Sequence, residues 1–264
     1  MMDTRAAENG RGDRAAGLRG FANLVRKEAS AWTGTRSGWL QPLVWMAVLI
    51  GPLVLPLYLM RDVFEAETNG VLATGLEMFF GLAALAPSLG AVILMQGSVV
   101  SERQLGTAAW VLSKPVGRAA FLLAKLVAHG AALLVAALVL PGLVAYALLS
   151  IENGAPLPAL SFAAALGVAA LHVTFYLVLT LALGAVTDVR AVVLAVPLVL
   201  MLGGDVILGL APRLAEVSPW LLSRFTIVVA NGEALPTYLP LVATVLWSAA
   251  FTAIAIWRFG REDL

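Results

Sequence analysis

Ser101-Glu-Arg-Gln-Leu-Gly-Thr-Ala-Ala-Trp-Val-Leu-Ser-Lys-Pro-Val-Gly-Arg118 stands between two apolar runs, about Val71 to Val100 and about Ala119 to Leu149. Each run can cross the roughly 30 Å hydrocarbon core of a bilayer, for which about 20 residues suffice at about 1.5 Å per residue. A polar junction between two such runs belongs in water or among headgroups, so the chain leaves and re-enters the membrane here. Working outward, four more apolar runs cover about Leu40 to Met60, Ala159 to Val186, Ala191 to Ala211 and Tyr238 to Trp257. Inside hydrocarbon every backbone N–H and C=O has to be satisfied within its own segment, which selects helices for runs of this length. A barrel would show short alternating segments instead. The expected architecture is all-α: a polytopic membrane protein with six transmembrane helices.

Composition agrees. Of 264 residues 61% are hydrophobic and 12% charged, against roughly 25% charged in soluble domains, and the mean hydropathy is +0.92. No room remains for a separate soluble domain, so residues 21–264 read as one transmembrane domain. A net charge of +1 with scattered basic residues gives no nucleic-acid footprint. The absence of cysteine removes disulfides, thiolate metal sites and cysteine nucleophiles. The only lysines, Lys27, Lys114 and Lys125, lie outside any Gly-x-x-x-x-Gly-Lys-Ser/Thr frame, so the chain carries no phosphate-cradling P-loop. With neither His-Glu-x-x-His nor Gly-x-Ser-x-Gly present, no catalytic residue and no metal site is assigned.

The placement of Lys and Arg sets orientation. Arg5, Arg11, Arg14, Arg19, Arg26, Lys27 and Arg36 precede the first span, Arg103, Lys114 and Arg118 fill the junction, Arg190 follows the fourth span, and Arg258 and Arg261 end the chain. The alternate loops hold only Arg61, Arg213 and Arg224. Both termini and the junction are therefore expected in the cytoplasm, with the chain multi-pass in the plasma membrane. Met1 to Gly20 has almost no large apolar residue and reads as a disordered tail. Next, Phe21, Leu24, Val25, Ala29 and Trp32 recur at helical spacing, with Arg26, Lys27 and Glu28 assigned to the other side. That pattern describes an amphipathic helix in the interface, a solvated basic tail being the alternative.

Within the junction the second helix can continue into the cytoplasm or break at Gly106 into a short lateral helix, and Pro115 is expected to open the third helix, with Lys114 before it pushed out of the helical region. Ala108 to Leu112 is too apolar for open water and should bury against its own bundle, headgroups or another protein. Titratable groups within spans are costly and so count as candidates for a polar transport path. Here they are Glu77, His129, His172 and Asp205. Snorkelling acids and interhelical hydrogen bonds from the histidines are the plainer alternative. Trp220 to Ala230 is too short to span and too apolar for water, and reads as an interfacial or re-entrant helix.

Glu102-Arg-Gln-Leu-Gly106-Thr107, then Pro115-Val-Gly-Arg118, then Lys125, resemble the signature of type-2 ATP-binding-cassette (ABC) permeases, and Leu123 to Gly130 is similar to the permease of the nitrous-oxide-reductase maturation transporter. The resemblance implies that the segment after the second span docks on a separate cytoplasmic ATPase subunit as a coupling helix. Glu102, Arg103, Gly106, Thr107, Pro115 and Arg118 would then lie at or beside that contact. It further implies two ATPase copies, a second permease copy in a homodimer or heterodimer, an export role, and ATP and Mg used by the partner rather than bound here. Ala108 and Ala109 depart from the family's Leu-rich run at this point. Two other classes stay open: an ion-coupled secondary transporter, and a non-transporting scaffold or mechanotransmission subunit.

Overall fold

The computed structural model describes residues 18–67 and 70–261, and every regular element among them is helical. Residues 1–17, most of the tail expected to be disordered, lie outside the described residues. Helix α1 (Phe21–Thr33) leads through Gly34 and Thr35 into α2 (Arg36–Val54), which continues through a π-helical turn, Leu55–Leu59. Gly38 is dictated by this corner, because a Cβ there would overlap the Trp32 carbonyl. Then follow α3 (Arg61–Glu67) and α4 (Val71–Met95). The polar junction holds α5 (Val100–Gln104) and α6 (Thr107–Leu112). A continuous rod of α7 (Arg118–Leu134), a second π turn (Val135–Val139) and α8 (Leu140–Glu152) precedes α9 (Ala159–Val186). The chain ends with α10 (Arg190–Leu210), α11 (Pro212–Glu216), a 3₁₀ turn (Pro219–Leu221), α12 (Leu222–Ala230) and α13 (Leu239–Gly260).

By length and composition five helices among the described residues can cross a membrane: Gly38–Leu59, Val71–Glu102, Arg118–Glu152, Ala159–Val186 and Leu239–Gly260. The sixth expected crossing, α10, counts for less because its qualifying apolar stretch is Arg190–Gly204. Connectivity nevertheless makes it cross. Gln104 donates to the Asp188 carbonyl and Arg190 to Gln96, which puts the start of α10 beside the polar junction. Arg118 donates to the Gly260 carbonyl, so α13 ends at that same side. A full-length α13 that finishes there must start at the opposite side, and α10 has to carry the chain over. Its 21 residues reach about 30 Å.

The bundle is organised on α9, which packs against α4, α13, α12 and α7. Among lipids apolar burial gives little drive for helices to associate, so close fit has to do it. Accordingly Ala83, Ala84 and Ala91 of α4 and Ala165 and Ala169 of α9 are buried, small enough for close approach. At the side away from the junction Phe162 meets Phe79, Phe80 and Tyr146 at 5.0–6.0 Å between ring centroids. Helix α12 buries Leu222, Phe225 and Thr226 against α9 and α4, so the short apolar segment of the sequence is an inserted packing element. The first π turn contains Pro56 and the second is followed by Pro141. A proline ring presses on the carbonyl four residues back, and widening the turn relieves that clash. Pro42, Pro52, Pro87 and Pro197 stay inside α-helices.

The junction differs from expectation in two respects. The second span already breaks over Gln96–Val99 before α5 begins, ahead of the second break at Gly106. The third span starts at Arg118 and not at Pro115, because Pro115–Gly117 is drawn out to meet the chain's beginning. The Gly117 N–H donates to the Arg19 carbonyl at 3.0 Å, and Val116 lies against Gly20, whose φ of 81° places it in the left-handed region.

Candidate functional site

Helix α1 has a stripe of partly or fully buried positions at Phe21, Leu24, Val25, Glu28, Ala29 and Trp32. Glu28 thus sits on the apolar face, in contrast to its expected place on the solvent side. What it meets explains why. Lys125 projects from α7 with only 2% of its side chain exposed, and its Nζ donates to Glu28 Oε1 at 3.2 Å and to Glu102 Oε1 at 2.8 Å. One ammonium therefore ties the N-terminal helix, the end of the second span and the third span together. Two carboxylates on one cation satisfy it well, which matters because an unpaired buried charge costs several kcal/mol.

The network extends by one helical turn. His129 follows Lys125 at four residues' distance and so shares its face. Trp32 Nε1–H donates to His129 Nδ1 at 3.0 Å. The ring therefore carries its proton at Nε2, which faces Glu28 Oε2 at 3.3 Å. Phe121, a turn before Lys125, lies under the ammonium at 5.0 Å and stacks on Phe259 of α13. Burial pushes the Glu28 carboxyl up, but the His129 hydrogen bond, Lys125 and the charge of Lys27 outweigh it and hold the group down at about 2. A depressed carboxyl adds stability that is complete above its unfolded value of 4.5 and is lost as pH falls toward about 2. The thermal midpoint of the chain should accordingly fall across that window, and Glu28→Gln should remove that part of the pH dependence.

Around this network lies the rest of the junction. Gly106 turns with φ of 69° and nothing near its missing Cβ, so the backbone alone demands glycine. Thr107 Oγ1 donates to the Glu102 carbonyl at 3.1 Å and closes the turn. Leu105 and Trp110 stand out at 76% and 64% exposure, with Lys114 Nζ 3.7 Å from the Trp110 ring. Between α1 and α6 runs a groove of about 350 Å³, with Leu24 and Val111 at its floor and Lys27, Trp110, Lys114 and Pro115 around it.

A family model described as ABC-2 family transporter protein matches residues 22–264. The chain belongs to the ABC-2 transporter family. No curated protein matches it. Membership makes this ABC-2 protein a multi-pass membrane transport subunit and implies an ATPase partner.

On this ABC-2 chain the residues expected at the partner contact divide in two. Gly106, Thr107 and Pro115 shape the exposed turn, whereas Glu102 faces inward to Lys125 and Arg118 donates to the Phe259 and Gly260 carbonyls, holding the end of α13. The Arg103 and Asp205 side chains lie outside the described residues. Of the intramembrane candidates only His129 joins the network. His172 is a satisfied core residue, its Nδ1 2.9 Å from Ser88 Oγ and 3.1 Å from the Ala84 carbonyl. Glu77 is exposed on α4. Among the described side chains, Glu77, His129 and His172 therefore sit in separate surroundings. Among the described residues no group of His, Asp and Glu is placed to hold a metal ion.

Two residues that matter most, Glu28 and Lys125, carried a usable signal. Glu28 falls in register with the apolar stripe of its helix. Lys125 lies seven residues inside an apolar run, where a lone cation needs a partner.

Proposed function

We propose that this ABC-2 protein is the membrane-spanning half of an ATP-driven exporter, driven by a separate ATPase that grips the exposed α6 turn. Two permease copies and two ATPase copies would form the working unit in the plasma membrane, with both termini and the junction on the cytoplasmic side. The observation that carries this reading is the double ion pair of Lys125, joined through Glu102 and its bond from Thr107 to the turn that bears the exposed Leu105 and Trp110. A push on α6 reaches α5 through the backbone and through Thr107, and Glu102 hands it to Lys125 on the third span. Glu28 moves with it, so that α1 and α7 travel as one body. Hydrolysis stays with the partner, and this chain supplies the lever and the path. Lys125 and His129, both within the Leu123–Gly130 stretch, belong to the network.

Purification of the full chain from its native membrane under mild detergent tests the reading. A P-loop ATPase should accompany it in equal number. If none does, at any salt concentration, the motor-driven reading is lost.

A further inference from the structure

A second cavity lies on the opposite flank of α1 from the α6 groove. About 460 Å³ in volume, it is walled by α1, the start of α2 and the third span, and its lining is almost wholly apolar. Its floor is low because the third span presents Ala128, Ala131, Ala132 and Ala136 there. Lining residues run from Val127 to Leu140, thirteen residues along the helix, or on the order of 20 Å, somewhat more than the roughly 15 Å depth of one leaflet. Trp32 and Trp39 stand at its mouth, where amphipathic rings mark a membrane interface.

The mouth is charged. An adjoining cleft of about 410 Å³ shares Thr33 and Trp39 with the groove and carries Arg36. The Arg36 guanidinium makes no ion pair or hydrogen bond with the described residues. Exposed Arg26 on α1 adds a second cation on this side of the chain. An apolar slot one leaflet deep, with a guanidinium at its rim that is unpaired among the described residues, matches one chemistry: an acyl chain joined to a phosphate.

We propose that this groove holds one anionic phospholipid of the adjacent leaflet, its acyl chain along the alanine floor and its phosphate on Arg36. The lipid wedges α1 against α2 and α7, with Trp32 shared between the groove wall and the bond to His129. Helix α1 is then seated both by the ion network and by a lipid beside it. This site stands independently of the proposed motor, since it needs no ATPase.

Native mass spectrometry of the delipidated full chain, with phosphatidylglycerol, phosphatidylcholine or inorganic phosphate added back, tests it. One phosphatidylglycerol per chain should survive, about tenfold better than phosphatidylcholine, as expected for one charge-assisted contact. Inorganic phosphate alone should not be retained. Arg36→Gln should bring the two lipids to equal retention, and Ala132→Trp, which fills the slot, should expel both. Ala132→Leu, a milder filling, should weaken retention while the chain elutes as before. Equal retention of both lipids by the unaltered chain, or full retention by the Ala132 variants, would overturn the site.

Discussion

Lys125→Met is expected to be the most damaging single substitution in the chain. It leaves Glu28 and Glu102 as facing, largely buried carboxylates with their shared cation gone, and removing one member of a buried ion pair costs about 3–5 kcal/mol. The thermal midpoint should drop by on the order of 10 °C. The sign reverses when the acids go too. In the triple variant Glu28→Gln, Glu102→Gln, Lys125→Met no buried charge is stranded, and most of the lost stability should return. Transport should not return with it, because the neutral cluster no longer forces α1, α5 and α7 to move together. Unfolding scans and transport assays on the same three proteins separate the two roles. A triple variant that is stable and fully active would show the network to be a mere staple.

The second large effect is expected from surface residues. Leu105→Asp combined with Trp110→Asp should leave the unfolding midpoint unchanged, since both side chains already stand in solvent. Association with the ATPase should nonetheless fall by roughly 30-fold or more, the loss of about 2 kcal/mol typical of an aromatic anchor at an interface. Pull-down of the ATPase at graded concentration measures it. Unchanged association would place the docking surface elsewhere, with the exposed aromatic serving the headgroups.

Much of the fold was legible because a membrane leaves few options. The fourth span ends where its apolar run ends, at Ala159 and Val186, since nothing but hydropathy sets those limits. The junction was less legible. Pro115 has every local reason to start a helix, yet Arg19, nearly a hundred residues earlier, claims the Gly117 N–H and keeps the chain extended. Glu28 shows the limit of reading charge as a guide to exposure. Periodicity alone puts it on the buried face, and its partner, over ninety residues away, cannot be seen from the local pattern. Conversely, the histidines looked alike in sequence. One faces the network and the other is absorbed by Ser88, a difference set by which helices lie beside them.

The Arg118 contact with Gly260 has a consequence for how the molecule is made. The two are 142 residues apart, so at roughly 5–20 residues per second the ribosome needs on the order of ten seconds or more to supply the second after the first. Until then Phe121 lacks the ring it stacks on and the third span lacks its last neighbour. A nascent or truncated chain therefore exposes α6 above an unfinished base. The junction thus gains its last support only once α13 has been made.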